Sequence, residues 1–172
     1  TNGIEAKLII AEALMAGNPT AWLDTLIFIR ANGGVAGLAP LADPGPASWR
    51  EIVAHRPGRL THDIVAYADH LVRLEREDGL PRIVVREIGS GGEHAIAFDE
   101  EAYSLGMSSG YEFDTATLRF TYSSMTTPVQ VYDYDMRTRT RTLRKTQEVP
   151  SGHNPADYVT RRLNGPAPDR GA

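Results

Sequence analysis

Hydrophobic and polar residues alternate along the last third of the chain. Leu118, Phe120 and Tyr122 are separated by Arg119 and Thr121, and Val129, Val131, Tyr132 and Tyr134 follow Pro128. A period of two is the mark of half-buried strands. A third run, Thr140 to Val149, continues the pattern more weakly. The connection SSMTTP is polar and closes on Pro128, which starts the next strand, where a missing N–H matters least. The connection Asp135 to Arg139 is short enough for a hairpin loop. Three antiparallel strands joined in this way form a meander, the unit of a propeller blade or of a sandwich sheet.

Upstream the same alternation predicts strands at Trp49 to Ala54, Arg59 to Tyr67, His70 to Arg76, Pro81 to Ile88 and Glu93 to Phe98. Turns fall at His55-Arg56-Pro57-Gly58, around Asp69, at Asp78-Gly79 and at Gly89-Ser90-Gly91-Gly92. Strands spaced by about 8 to 12 residues with turn signals between them are the all-β pattern, and four of them make one blade. Asp99 to Gly110 reads as a polar connection. Nearer the start, Thr25 to Ile29 reads as a buried strand followed by an Asn32-Gly33-Gly34 turn, and VAGLAPLADPGP looks like a shortened strand. Ile4 to Ala16 has helix-forming composition, with Gly17-Asn18-Pro19 as a stop signal.

The fold expected is mainly β: an incomplete β-propeller of two to three antiparallel blades with a short helical or irregular N-terminal segment. Blades run to about 40–50 residues, so the 172 residues hold between two and three. The boundaries are residues 1–20 for the N-terminal segment, 21–149 for the partial propeller and 150–172 for a closing segment outside it. Two blade faces left without neighbours would expose Val, Ile, Leu and Tyr and favour self-association.

Composition narrows the function. A formal net charge of −4 argues against a nucleic-acid partner, which calls for clustered cations on a basic surface. The basic run Arg137 to Lys145 alternates with Thr and reads as a solvated outer strand whose charges discourage edge pairing. Leu8 to Ala16 is apolar but interrupted by Glu12 and far too short to span a membrane, so no membrane partner is expected. The chain has no Cys, which removes disulfides, thiol nucleophiles and Cys-ligated metals and fits a cytoplasmic origin. It begins at Thr, as a fragment or processed product would.

Candidate chemistry is sparse. Gly106 to Gly110 satisfies G-x-S-x-G, and Asp133 or Asp135 followed by His153 gives the chain order Ser, Asp, His of α/β-hydrolases. That mechanism needs the serine on a tight strand-to-helix turn, whereas a β-rich segment follows Ser108, so no catalytic residue is assigned. The five histidines (55, 62, 70, 94 and 153) show no ligand spacing, and neither a metal nor a cofactor is expected. Asp99, Glu100 and Glu101 form an acidic cluster, read as a solvated loop in preference to a lure for cationic peptides. In SGHNPAD, Gly152 and the Asn154-Pro155 pair favour turns. Asp157 to Leu163 is strand-forming but has no partner sheet, and is expected to be exposed or attached opportunistically to an open edge.

YSSMTTP, VYDYDM, a basic strand and then QEVPSGHNPADYVTRRL closely resemble the last propeller blade and domain junction of the oligopeptidase B branch of the prolyl oligopeptidase family. WREIVAHRPG, DHLVRLERE, LPRIVVREI and EEAYSLGMSSGYEFDT extend the resemblance over roughly Trp49 to Gly165. The first forty-odd residues match poorly. The resemblance implies a seven-bladed propeller capping an α/β-hydrolase domain that carries the Ser-Asp-His triad, which would be the partner missing from this chain. It also implies hydrolysis of short peptides after Arg or Lys, with the propeller covering the site and restricting entry. Residues 150–172 then become an interdomain hinge and the start of the hydrolase domain, with Pro150, Gly152, His153, Asn154 and Pro155 as the hinge itself. The alternative is a non-catalytic β scaffold or interaction module sharing the blade architecture.

Overall fold

The structure, a computed structural model, describes residues 7–9, 25–29, 36–40, 42–43, 45–108, 110–163 and 165. Twelve strands form three four-stranded antiparallel sheets among these residues. Sheet 1 contains β1 (Lys7–Ile9), β2 (Thr25–Ile29), β3 (Ala36–Pro40) and β4 (Arg50–Val53). Sheet 2 contains β5 (Arg59–Ala66), β6 (His70–Glu77), β7 (Leu80–Glu87) and β8 (Glu93–Ala95). Sheet 3 contains β9 (Ser104–Ser108), β10 (Thr117–Ser123), β11 (Gln130–Asp135) and β12 (Thr140–Thr146). Each is a meander in chain order. The fold is a partial β-propeller of three blades, with two short 3-10 turns at Pro46–Ser48 and Pro155–Asp157 as its helical content among the described residues.

Three elements differ from expectation. Lys7–Ile9 is a strand paired with β2, in place of the helix expected over Ile4 to Ala16; the rest of that span lies outside the described residues. The strand expected at Trp49 to Ala54 closes sheet 1, pairing with β3, which supplies the strand that looked shortened. The connection expected over Asp99 to Gly110 contains β9, registered against β10 from Ser104↔Ser123 to Ser108↔Arg119. Ser-Leu-Gly-Met-Ser holds no β-branched or aromatic residue, so its strand character comes from pairing with β10 and not from local propensity.

The turns follow local chemistry. Asp78 and Gly79 have φ of 51° and 80°, the left-handed pair that a two-residue hairpin with native twist requires. Ser124 Oγ accepts from the backbone N–H groups of Thr126 and Thr127 at 3.0 and 2.9 Å, closing the β10–β11 connection. Asp135 does the same for Arg137 and Thr138 between β11 and β12, where Arg139 takes the left-handed conformation.

Sheet 2 is covered on both faces. Toward sheet 3, Val72, Ile83 and Val85, each fully buried, pack with Leu118, Phe120, Tyr122, Tyr134 and Met136. The β8–β9 connection joins this core through Ile96, Phe98 and Tyr103: Phe98 stacks on Tyr122 at 5.1 Å and meets Phe120 edge-on at 5.8 Å. Arg141 lies over the Phe98 ring and donates to the Ala97 carbonyl at 2.9 Å. Toward sheet 1, Ile64 and Leu71 pack on Val53, Leu38 and Ile52.

Alternation along β6 puts Arg73 and Glu75 on the Leu71 face. Both are about 1% exposed. Arg73 Nε donates to Glu75 Oε1 at 2.9 Å, and its two terminal nitrogens donate to the two oxygens of Glu93 at 2.9 and 3.0 Å. Arg86 donates to Glu93 Oε1 and to the Ile52 carbonyl of sheet 1, each at 3.2 Å.

The outer face of sheet 3 is polar. Register places Ser108, Arg119, Asp133 and Thr142 side by side across its four strands. Arg119 is bidentate to Asp133 at 2.7 and 3.0 Å, and Arg144 reaches the same carboxylate at 3.0 Å. The expectation of an apolar uncovered face therefore fails here, because the apolar members of β10 all point inward to sheet 2. β12 is exposed throughout and forms the edge of its sheet.

Candidate functional site

A second set of polar residues converges at one rim, where the 99–103 loop, the β10–β11 turn and the chain beyond β12 meet. Glu100 turns inward. Its carboxylate accepts from Tyr122 Oη and Thr126 Oγ1, both at 2.5 Å, and from Thr127 Oγ1 at 3.1 Å. Burial alone would raise the Glu100 carboxyl, but the hydroxyls of Ser124, Thr126, Tyr122 and Thr127 outweigh it and hold the group below the ordinary carboxylate range. Burial and the same contact push the Tyr122 phenol above its usual range. Glu101 turns outward, accepting from Arg161 Nη1 at 2.8 Å and from the Arg162 backbone N–H at 2.9 Å. In the acidic cluster read as a solvated loop, Glu100 and Glu101 thus differ in role, one spent on the fold and one on the chain's last described stretch.

The five residues singled out as a hinge sit in that stretch and are exposed. The Gly152 N–H donates to the Val149 carbonyl at 2.9 Å, and its φ of 81° is one that glycine adopts without strain. Pro150 and Pro155 lack the N–H a ladder needs. Asn154 caps the Pro155–Asp157 turn, accepting from Ala156 N at 3.3 Å. His153 stacks on Tyr158 with centroids 5.3 Å apart, and its Nε2 donates to the Thr126 carbonyl at 2.6 Å. Residues 158–163 pair with no sheet. The second half of the tail, 164 and 166–172, lies outside the described residues.

The formal Ser, Asp, His order is not assembled. Ser108 ends β9 opposite Arg119, and Asp133 stands two strands over, about 10 Å away at ordinary strand spacing. Asp133 is held by Arg119 and Arg144, Asp135 caps a turn, and His153 is bound to Thr126. Gly106 has a packing reason, since a Cβ there would lie 2.7 Å from Thr121 Oγ1. Among the described residues no group of three or more His, Asp or Glu side chains is placed to hold a metal ion. No helix among them is long and apolar enough to cross a membrane.

Residues 32–147 match the family described as prolyl oligopeptidase, N-terminal beta-propeller domain. The chain belongs to that family. Among curated proteins it is similar to dipeptidyl aminopeptidase BI of Pseudoxanthomonas mexicana, 34% identical over 131 residues that cover 76% of this chain and 18% of the relative. Among solved structures it is similar to oligopeptidase B of Trypanosoma brucei in its closed form with covalently bound antipain. There the TM-score is 0.74 at 27% identity, over 83% of this chain and 22% of that one. Oligopeptidase B of Leishmania major has the same fold, with a TM-score of 0.73 at 23% identity over 90% of this chain and 22% of that one. The chain spans about a fifth of the length of the relatives it matches.

Proposed function

We propose that this chain is the propeller portion of an oligopeptidase B-like serine endopeptidase that cleaves short peptides after Arg or Lys. In this reading the blades cover the catalytic centre and limit entry to small, flexible substrates, while the chemistry belongs to an α/β-hydrolase domain continuing beyond the exposed segment. Pro150, Gly152, His153, Asn154 and Pro155 act as the hinge between the two, in a cytoplasmic enzyme. The observation that carries the reading is the likeness to oligopeptidase B at 27% identity over 83% of the chain, with Ser108 two strands away from Asp133 and with Asp133 and His153 bound to other partners. A plain β scaffold is the rival from another class.

The similarity to a dipeptidyl aminopeptidase favours a second specificity on the same fold. The test is to read the coding sequence past position 172, express whatever it encodes in one chain with these residues, and compare two substrates. An endopeptidase cleaves an N-blocked peptide after Arg or Lys; a dipeptidyl aminopeptidase requires a free N-terminus. A downstream sequence without its own G-x-S-x-G and His would leave the scaffold. The 172 residues alone are expected to be inactive, and turnover abolished by Ser108→Ala would contradict the assignment of chemistry elsewhere.

A further inference from the structure

Residues 150–163 make no strand pairs and are almost wholly exposed, yet polar bonds fix them to the rim of two sheets. His153 holds the Thr126 carbonyl at 2.6 Å, and Thr160 Oγ1 lies 3.4 Å from Thr126 Oγ1. Thr126 is itself tied to Glu100. Further on, the Arg162 guanidinium donates to the Asp78 carbonyl in the β6–β7 turn of sheet 2. Between these points stands Glu101, with each oxygen bonded to a different residue, Arg161 through its side chain and Arg162 through its main chain. Gripping one residue by its guanidinium and the next by its amide fixes the direction of the chain as well as its position. The described contacts of residues 161–163 are otherwise few, and Leu163 is 92% exposed.

We propose that Glu101 is the catch of a latch that holds residues 158–163 across the rim, from the β10–β11 turn to the Asp78-Gly79 turn, and that its release frees this segment to swing about the turns at 149–155. The inference rests on the hinge reading only for what the swinging segment would carry. With the catch closed, the Arg161-Arg162 pair is engaged at Glu101 and Asp78; with it open, the same pair is an exposed dibasic sequence in an extended stretch, the form a trypsin-class protease accepts.

The test is limited trypsin digestion of the 172-residue chain, with cleavage after Arg161 and Arg162 followed by mass spectrometry and cleavage after Arg144 as the internal reference. Glu101→Ala is expected to speed cleavage after Arg161 and Arg162 roughly two- to fivefold relative to Arg144, the range for losing exposed charged contacts when opening precedes cutting. The Arg162 amide should lose its exchange protection in the same variant. Exchanging the charges, Glu101→Arg with Arg161→Glu, should return part of the protection to residues 158–163, read by exchange since the cleavage site is altered. Equal relative cleavage rates in parent and Glu101→Ala, or an unprotected Arg162 amide in the parent, overturn the latch. Neither readout involves peptidase activity, so the latch can fail while the functional reading stands, and the reverse.

Discussion

The two faces of sheet 2 are built from alternate residues of the same strands, and they meet burial in opposite ways. On one, Val72, Ile83 and Val85 pack against the aromatic face of sheet 3. On the other, Arg73, Glu75, Glu93 and Arg86 form a chain of paired charges that ends on a carbonyl of sheet 1. Apolar packing is a sum of many small contacts, so a near-isosteric change loses only a part. A buried ion network is conditional: each charge is tolerable only while its partner is present, and removing one strands the rest.

The sharpest test replaces Arg73. Arg73→Met should destabilise the chain by about 3–5 kcal/mol, because Glu75 is left unpaired in the interior and Glu93 loses two hydrogen bonds. Replacing Arg73, Glu75 and Glu93 together by apolar residues should recover most of that loss. On the aromatic face Phe120→Ala should cost a similar amount, about 3–5 kcal/mol, whereas Phe120→Leu should cost about 1–1.5 kcal/mol. Urea unfolding midpoints read all four. If Arg73→Met and Phe120→Leu were equally mild, the charged face would have to be wet and the contrast between the faces would collapse.

Acid should separate the faces, since their titrating groups differ. His70 and His94 face sheet 3, and burial holds both imidazoles below the ordinary value of 6.5. Asp69 and Glu87 oppose the shift at His70, while Arg139 and His70 add to it at His94. A base whose folded pKa is lowered is protonated more readily when unfolded. Its contribution is therefore complete above about pH 6.5 and shrinks as pH falls through that value. Glu93, on the other face, is held below its ordinary 4.5 by hydrogen bonding to Arg73, against the effect of burial. Its contribution is present above 4.5 and is lost as pH falls through the lower folded value. Stability against pH should thus decline in two stages. His70→Gln with His94→Gln should remove the first and leave the second, whereas Glu93→Gln should leave the first and make the second shallower, since Glu100 and Asp133 are also held below the ordinary carboxylate range; an unaltered two-stage decline in either variant would refute the assignment.

Much of this was legible in the chain. The alternation through β10 and β11, the Asp78-Gly79 hairpin and the strands of sheet 2 all follow from period and turn chemistry, because local preference and tertiary demand agree there. Arg73 and Glu75 were hidden for a physical reason. In HLVRLERE the charges alternate with Leu and Val just as on a strand with one wet face, and only the presence of sheet 1 turns that second face inward. β9 was missed because its strand character is borrowed from β10. At the rim, the dibasic Arg161-Arg162 was the available signal for a partner to Glu101, but their separation of 60 positions is closed only by folding. Glu100 gave no such signal, since its partners are neutral hydroxyls.

A smaller effect is expected at the edge of the aromatic face. Tyr122→Phe keeps the ring stacked on Phe98 and removes one hydroxyl from Glu100. The carboxylate retains the Thr126 and Thr127 hydroxyls, so the loss should be about 1.5–3 kcal/mol, the range for a hydrogen bond to a charged group. It should diminish once Glu100 is protonated. A loss equal to that of Phe120→Ala would mean that the phenol packs the core and does not serve the carboxylate.

The smallest effect belongs to Arg119 on the outer face of sheet 3, and it isolates what burial contributes to the contrast. Arg119 and Arg73 are the same side chain, each making a bidentate bond to a carboxylate, at 2.7 and 3.0 Å in one case and 2.9 and 3.0 Å in the other. Both come from a strand and reach across their own sheet. They differ in surroundings: the Arg119 side chain is 56% exposed and that of Arg73 is 1% exposed. Water and salt screen an exposed pair, and a partner left alone is resolvated at once. Asp133 also keeps Arg144. Arg119→Ala should therefore leave the urea midpoint unchanged within error, at low salt and at high salt alike, while Arg73→Ala unfolds the chain far earlier under both conditions. A shift for Arg119→Ala that approached the one for Arg73→Ala would mean that the outer face is covered in solution, by a second copy or by another surface, and that its polar character is that of an interface.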